Sequence, residues 1–290
     1  MAAGLGRHVA GRRVAGTARL GQLAQRVDAE SGMNTGATPL LQIDTLVKRF
    51  GALTATDRAS LQVHKGEVHA LIGPNGAGKT TLIHQISGAL QPDSGRLLLN
   101  GADITRLPMH ARVKRGLARS YQITNVFLRL SVQDNLALAL QAVAGSSMRF
   151  WRPVHTETQR MQAAADVAAR VGLQAQLQRT AGALSHAEQR QLEVGLALAS
   201  RPQLLVLDEP LAGMGPDESQ RMVALLQSLR AETTLLLVEH DMDAVFQLAD
   251  TISVLVAGRV IASGQPDAIR QSADVKRAYL GDEALPEARP

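Results

Sequence analysis

The chain has 290 residues, of which 45% are hydrophobic and 20% charged, with a formal net charge of +5; this composition fits one large or two small globular domains with a sizeable core. It has no cysteine, which excludes disulfides, thiolate nucleophiles and Cys-ligated zinc or iron–sulfur centres. No run reaches the roughly 18 apolar residues of a membrane span, and the few aromatics (four Phe, two Tyr, one Trp) do not interleave with the basic run at residues 106–119 as in a nucleic-acid surface; that run reads as a solvated helix face.

Residues 1–39 read as an extension ahead of the folded unit. Arg7, Arg12, Arg13, Arg19 and Arg26, set against Asp28 and Glu30, place three of the positive charges before Met33. The stretch lacks the apolar core of a secretory signal and has too little Ser for a transit peptide, so a disordered tail or an upstream misassigned start is expected. Folding is expected to begin near Leu40. Short β-like runs at residues 41–47 and 61–64 then predict an N-terminal antiparallel β portion. Next come a strand at Val68–Ile72, a glycine-rich loop at residues 73–78, and a helical pattern from Lys79 that stops at Gly88.

Helical periodicity at Val132–Val143, residues 157–171 and residues 185–200 predicts an inserted helical subdomain over about 123–199. Two apolar strands follow, at residues 204–209 and 234–240, with a helix at 219–230 between them, a spacing that suits a right-handed parallel crossover. The expected fold is α/β, a P-loop nucleotide domain over residues 40–281 with a tail at 282–290. Open α/β sheets bind ligands at the carboxyl ends of their strands. The loop after Ile72, Asp208 with Glu209, and His240 are therefore expected to meet on one edge.

The sequence Gly73-Pro-Asn-Gly-Ala-Gly-Lys79-Thr80 fits G-x-x-x-x-G-K-[ST]. Its glycines let backbone N–H groups turn toward phosphates, and the helix dipole adds to the attraction. Gly73, Pro74, Asn75, Gly76, Ala77, Gly78, Lys79, Thr80 and Thr81 are the candidate nucleotide-binding residues. Lys79 is expected to reach the β- and γ-phosphates of ATP and the Thr80 hydroxyl to ligate Mg²⁺. Asp208, closing an apolar strand, is a second candidate Mg²⁺ ligand. Glu209 beside it is the candidate general base for the attacking water, and Glu239 is a rival base without a neighbouring metal ligand. His240 is placed to hydrogen-bond the γ-phosphate and position the water. Gln122, in Arg119-Ser-Tyr-Gln, could sense Mg²⁺ and the γ-phosphate. Ser185 and Glu188 read as a capping box.

The P-loop, Gln122, Leu184-Ser-His-Ala-Glu-Gln-Arg190, Leu204-Leu-Val-Leu-Asp-Glu-Pro210 and Val238-Glu-His240 together resemble the nucleotide-binding domains of ABC transporters, over residues 40–281. Leu211-Ala-Gly-Met-Gly-Pro, Val238-Glu-His-Asp-Met-Asp-Ala-Val-Phe, Val260-Ile-Ala-Ser-Gly and Ala278-Tyr-Leu-Gly281 are most similar to ATP-binding subunits of branched-chain amino acid importers. The resemblance implies a peripheral ATPase on the cytoplasmic face of the plasma membrane. It implies that Phe50 stacks on adenine, that Gln122 couples the site to transmembrane permease subunits, and that two ATP-binding subunits, identical or different, sandwich two ATP molecules. Ser185 would then contact the γ-phosphate held by the other subunit, and an external binding protein would deliver cargo.

Two positions depart from the family pattern. Ala187 stands where the signature carries a glycine, which implies a weakened phosphate contact at the site that uses this chain's signature. Gly215 stands where many relatives place an aspartate. Rival readings keep the ATPase and change the cargo to urea, amides, aromatic acids or lipid. A soluble ABC ATPase acting on DNA or ribosomes would want two such domains or a coiled-coil insertion, and a dead regulatory module would have lost Lys79, Thr80, Asp208, Glu209 or His240.

Overall fold

The computed structural model describes residues 38–120, 126–143 and 154–280. Strand β1 (Leu41–Phe50) buries Leu41, Ile43 and Leu46 and pairs antiparallel with β2 (Leu53–Val63), with Leu41 opposite Val63 and Phe50 opposite Leu53. Strand β3 (Val68–Ile72) is buried throughout and leads through the glycine-rich loop into α1 (Lys79–Ser87). Strand β4 (Ser94–Leu99) pairs with the free side of β1, and β5 (Ala102–Asp103) with β4, which gives an antiparallel sheet in the order β2-β1-β4-β5.

The short helix α2 (Met109–Lys114) and strand β6 (Leu117–Arg119) precede three helices, α3 (Val132–Val143), α4 (Val154–Arg170) and α5 (His186–Leu198). Strand β7 (Leu204–Asp208), helix α6 (Pro216–Leu229), strand β8 (Thr234–Val238) and helix α7 (Met242–Leu248) follow. The described chain then runs through β9 (Thr251–Val256), β10 (Arg259–Gly264), α8 (Pro266–Gln271) and α9 (Ala273–Leu280).

The second sheet has the order β10-β9-β3-β8-β7-β6. Strands β9, β3, β8, β7 and β6 run parallel, and β10 lies antiparallel on one edge. Every residue of β3, β7 and β8 is buried, as expected of parallel strands covered on both faces. Successive side chains point to opposite faces. Leu205, Leu207, Leu235 and Leu237 thus pack with α3–α6, while Leu204, Val206, Leu236 and Val238 pack with α1 and the antiparallel sheet. The sheet stands between a helical layer and a mixed α/β layer, and its carboxyl ends open on one rim.

Several expected boundaries shift. Strand β8 ends at Val238, so Glu239 and His240 lie in the loop beyond it rather than closing the strand. Strand β7 ends at Asp208, and Glu209 opens the next loop. Strands β4, β9 and β10 are additions to the sequence reading. The basic run at residues 106–119 is not a solvated helix face. Its helix covers only Met109–Lys114. Arg112 is fully buried, donating to the carbonyls of Gln85 (2.6 Å), Ile86 (2.7 Å), Leu107 (2.9 Å) and Thr105 (2.9 Å). Burial pulls its pKa down to about 10. A guanidinium with several fixed donors can knit four carbonyls together, and a charge pattern alone does not reveal that.

Candidate functional site

The phosphate loop is shaped by close backbone approach. A Cβ built at Gly73 would lie 2.1 Å from the Leu255 carbonyl oxygen of β9, and one at Gly78 would lie 2.3 Å from the Ala55 carbonyl oxygen of β2. Gly78 also sits at φ 102°, in the left-handed region, and is the N-cap of α1, where it brings no side chain to the first turn. The helix N-terminus is therefore left to an incoming anion. The Lys79 ammonium donates to the carbonyls of Gly73 (2.6 Å) and Pro74 (3.2 Å). Burial lowers its pKa from the ordinary lysine value, against the opposing pull of Glu209 and Asp208. Asn75, Gly76 and Thr80 are exposed, Pro74 and Thr81 half-buried, and Ala77 is packed into the core.

The neighbouring strand ends supply the acidic groups. In register, Leu71 faces Val238, and Val238 faces Asp208, so β3, β8 and β7 deliver the loop, the Glu239-His240 pair and the Asp208-Glu209 pair to the same rim. Asp208 is 2% exposed, and its Oδ2 accepts from Nη2 of Arg119 at 2.8 Å. Glu209 leaves the strand at φ 50°, a left-handed conformation that costs a non-glycine residue roughly 1–2 kcal/mol, and its N–H donates to the Val238 carbonyl at 2.9 Å. That bond holds the strained turn in place and directs the chain away from the sheet immediately after Asp208. Strain of this kind persists where the surroundings over-determine it, which is common at functional sites.

Glu239, the rival base, is 1% exposed. One carboxylate oxygen accepts the Leu211 N–H (2.8 Å) and the other the His240 N–H (3.1 Å). Burial raises its pKa, and these backbone donors oppose the rise. It therefore staples the loop after β7 to the loop after β8, an arrangement that commits its lone pairs to backbone. The His240 ring is 63% exposed, with Nδ1 3.8 Å from Glu239.

Phe50 is not a core residue: it is 50% exposed at the hairpin end, with the Lys48 ammonium 5.7 Å from its ring centroid. The same hairpin carries Ala55, whose carbonyl oxygen faces Gly78 of the phosphate loop. Ser185 caps α5 as expected. Its hydroxyl accepts from the Glu188 N–H at 3.2 Å, and the Glu188 carboxylate accepts from the Ser185 N–H at 2.8 Å, a cap that contributes about 1 kcal/mol. Ala187 is buried in the first turn and, with Ser185, Met214 and Arg221, lines a cavity of about 280 Å³. Gly215 caps α6, its N–H donating to Glu218 at 3.2 Å. Gln122 lies outside the described residues.

Thr80 and Asp208 offer a hydroxyl and a carboxylate, hard oxygen donors that suit Mg²⁺. Among the described residues no group of three or more His, Cys, Asp or Glu stands as a metal cage. Sequence reasoning missed Arg119 and the stapling role of Glu239. Arg119 had no signal of its own beyond a basic residue closing a short strand.

Two family profiles match the chain: ABC transporter over residues 56–212 and branched-chain amino acid ATP-binding cassette transporter over residues 259–284. The high-affinity branched-chain amino acid transport ATP-binding protein BraF of Pseudomonas aeruginosa is 37% identical over 251 residues, covering 84% of this chain and 98% of that protein. The corresponding protein LivG of Escherichia coli K12 is 35% identical over 252 residues, with the same coverage. Among solved structures, the ADP conformation of an ATP-binding cassette of an ABC transporter superposes with a TM-score of 0.74 at 29% identity, covering 85% of this chain and all of that one.

Proposed function

The chain belongs to the ABC transporter family of ATP-binding subunits, and from that premise we propose that it is the ATP-hydrolysing motor of an importer of branched-chain or related hydrophobic amino acids. The observation that carries the motor reading is the meeting of the phosphate loop, the Asp208-Glu209 pair and His240 at three adjacent parallel strand ends. The cargo class is supported by the match at residues 259–284 and by relatives aligned over nearly their whole length. Among the described residues no helix is long and apolar enough to cross a membrane. In this reading the subunit sits on the cytoplasmic face, against transmembrane permease subunits and beside a second ATP-binding subunit, with an external binding protein supplying cargo.

The reaction is in-line attack of water on the γ-phosphate. The loop N–H groups and the α1 dipole hold the phosphates of ATP, and Lys79 exchanges its loop carbonyls for the β- and γ-phosphate oxygens. Thr80 and Asp208 would hold Mg²⁺, which when bound neutralises charge on the phosphates. Glu209, kept at its turn by the Val238 carbonyl, accepts the proton of the attacking water. His240, exposed at the rim, donates to a γ-phosphate oxygen. Phe50 stacks on adenine, and the capped end of α5 around Ser185 faces the ATP of the second subunit. Gln122 couples the site to the permease.

The cargo is tested by uptake of labelled leucine, with urea and benzoate as controls, in cells lacking other leucine systems and carrying either the native gene or its Glu209→Gln variant. Leucine uptake is expected with the native gene and is lost in the variant, with neither control taken up through the system. An expressed native subunit that gives no leucine uptake discards the cargo and retains the ATPase, whereas leucine uptake that survives in the variant reassigns the base.

A further inference from the structure

Asp208 already has a counter-ion. Arg119 closes β6, the edge strand beside β7, and its Nη2 donates to Asp208 Oδ2 at 2.8 Å, with the two side chains 5% and 2% exposed. Its Nη1 reaches the Ser87 hydroxyl at 3.4 Å, at the end of α1. A carboxylate this deep is unfavourable unless a cation faces it. Lys79 and His84, both on α1, also lie within electrostatic reach of Asp208, but the hydrogen-bonded partner is Arg119. The carboxylate on which Mg²⁺ would draw is therefore occupied by a fixed cation.

We propose that Arg119 is the resting counter-ion of Asp208 and is exchanged for Mg²⁺ when the metal–nucleotide complex binds, so that Arg119 sets the metal affinity of the site. This rests on the reading of Asp208 as a metal-holding residue. Exchange explains how a buried carboxylate is tolerated in the metal-free protein while remaining available. An apolar neighbour in place of Arg119 would leave the bare charge to destabilise the fold. A permanent pair would hold one oxygen away from the metal.

The test uses the full chain with a non-hydrolysable ATP analogue, titrating Mg²⁺ and following both analogue binding and Tm. Arg119→Met is expected to lower the Mg²⁺ half-saturation concentration about tenfold, because a competing cation is gone. It is also expected to lower the metal-free Tm and to enlarge the Tm rise on adding Mg²⁺. Asp208→Asn is expected to raise the Mg²⁺ half-saturation concentration. If Asp208→Asn weakens metal binding while Arg119→Met leaves it at the native value or weakens it, the exchange is overturned and the Asp208 reading stands. If Asp208→Asn leaves metal binding unchanged, the Asp208 reading fails and the exchange with it. Should Arg119→Met not fold, Arg119→Lys keeps a cation but loses the planar fork. A lower half-saturation than native then supports exchange, and an equal or higher one overturns it.

Discussion

In a Glu209→Gln variant of the assembled transporter, ATP turnover is expected to fall by roughly 10² to 10⁴-fold, as loss of a general base does, while ATP binding stays at its native affinity. The amide is nearly isosteric with the carboxylate and leaves the backbone bond from residue 209 to the Val238 carbonyl untouched. The strained turn should therefore survive. In the proposed mechanism ATP is held by the loop, Lys79, the α1 dipole and Phe50, none of which contains this side chain. What disappears is the group able to take a proton from water. Phosphate release and equilibrium binding of labelled ATP on one preparation separate the two quantities. Near-native turnover would reassign the base, and Glu239 is a poor successor because both of its oxygens accept backbone N–H groups.

The second large effect is expected inside the phosphate loop, where neighbouring glycines should respond differently to one added methyl. At Gly78 an alanine combines a φ of 102° with a Cβ 2.3 Å from a backbone oxygen of β2. Neither side is the tip of a flexible side chain, so strand and loop must move apart. Left-handed strain together with overpacking costs about 3–5 kcal/mol, and a loop displaced by this amount should bind ATP at least about a hundredfold more weakly. At Gly76, φ is 78° and a Cβ meets nothing within 4 Å. Gly76→Ala is therefore expected to cost only the left-handed strain, about 1–2 kcal/mol. Thermal unfolding and ATP titration of both variants check the contrast, and equal losses would contradict the packing account.

The phosphate loop was legible because its chemistry fixes both residue type and spacing: glycines where a side chain cannot fit, then a lysine and a hydroxyl at the helix start. Strands β3, β7 and β8 were legible because strands buried on both faces read as unbroken apolar runs. Their convergence followed from the rule that parallel strand ends form the binding rim. Strands β4, β9 and β10 were not seen. Most residues of β4 and all of β10 are partly exposed, and β9, residues 251–256, carries Thr251 and Ser253 among its apolar residues.

The basic run misled for a related reason. Arg112 and Arg119 look like their exposed neighbours Arg106 and Arg115 in one dimension, and only the fold places four carbonyls around the first and Asp208 beside the second. Glu239 was singled out as an acid but not as a staple, because the Leu211 N–H that it accepts lies 28 residues earlier in the chain. Long-range polar contacts of this kind leave no periodic trace in a sequence.

The central claim, that this subunit couples ATP hydrolysis to amino acid import, is tested most directly in proteoliposomes holding the complete transporter, by measuring phosphate release as leucine-loaded external binding protein is added. The account predicts that hydrolysis rises with leucine-loaded binding protein in the native complex, and that the Glu209→Gln complex stays far below the native basal rate with or without it. Hydrolysis indifferent to leucine, in a complex whose native subunit turns over ATP, would contradict it.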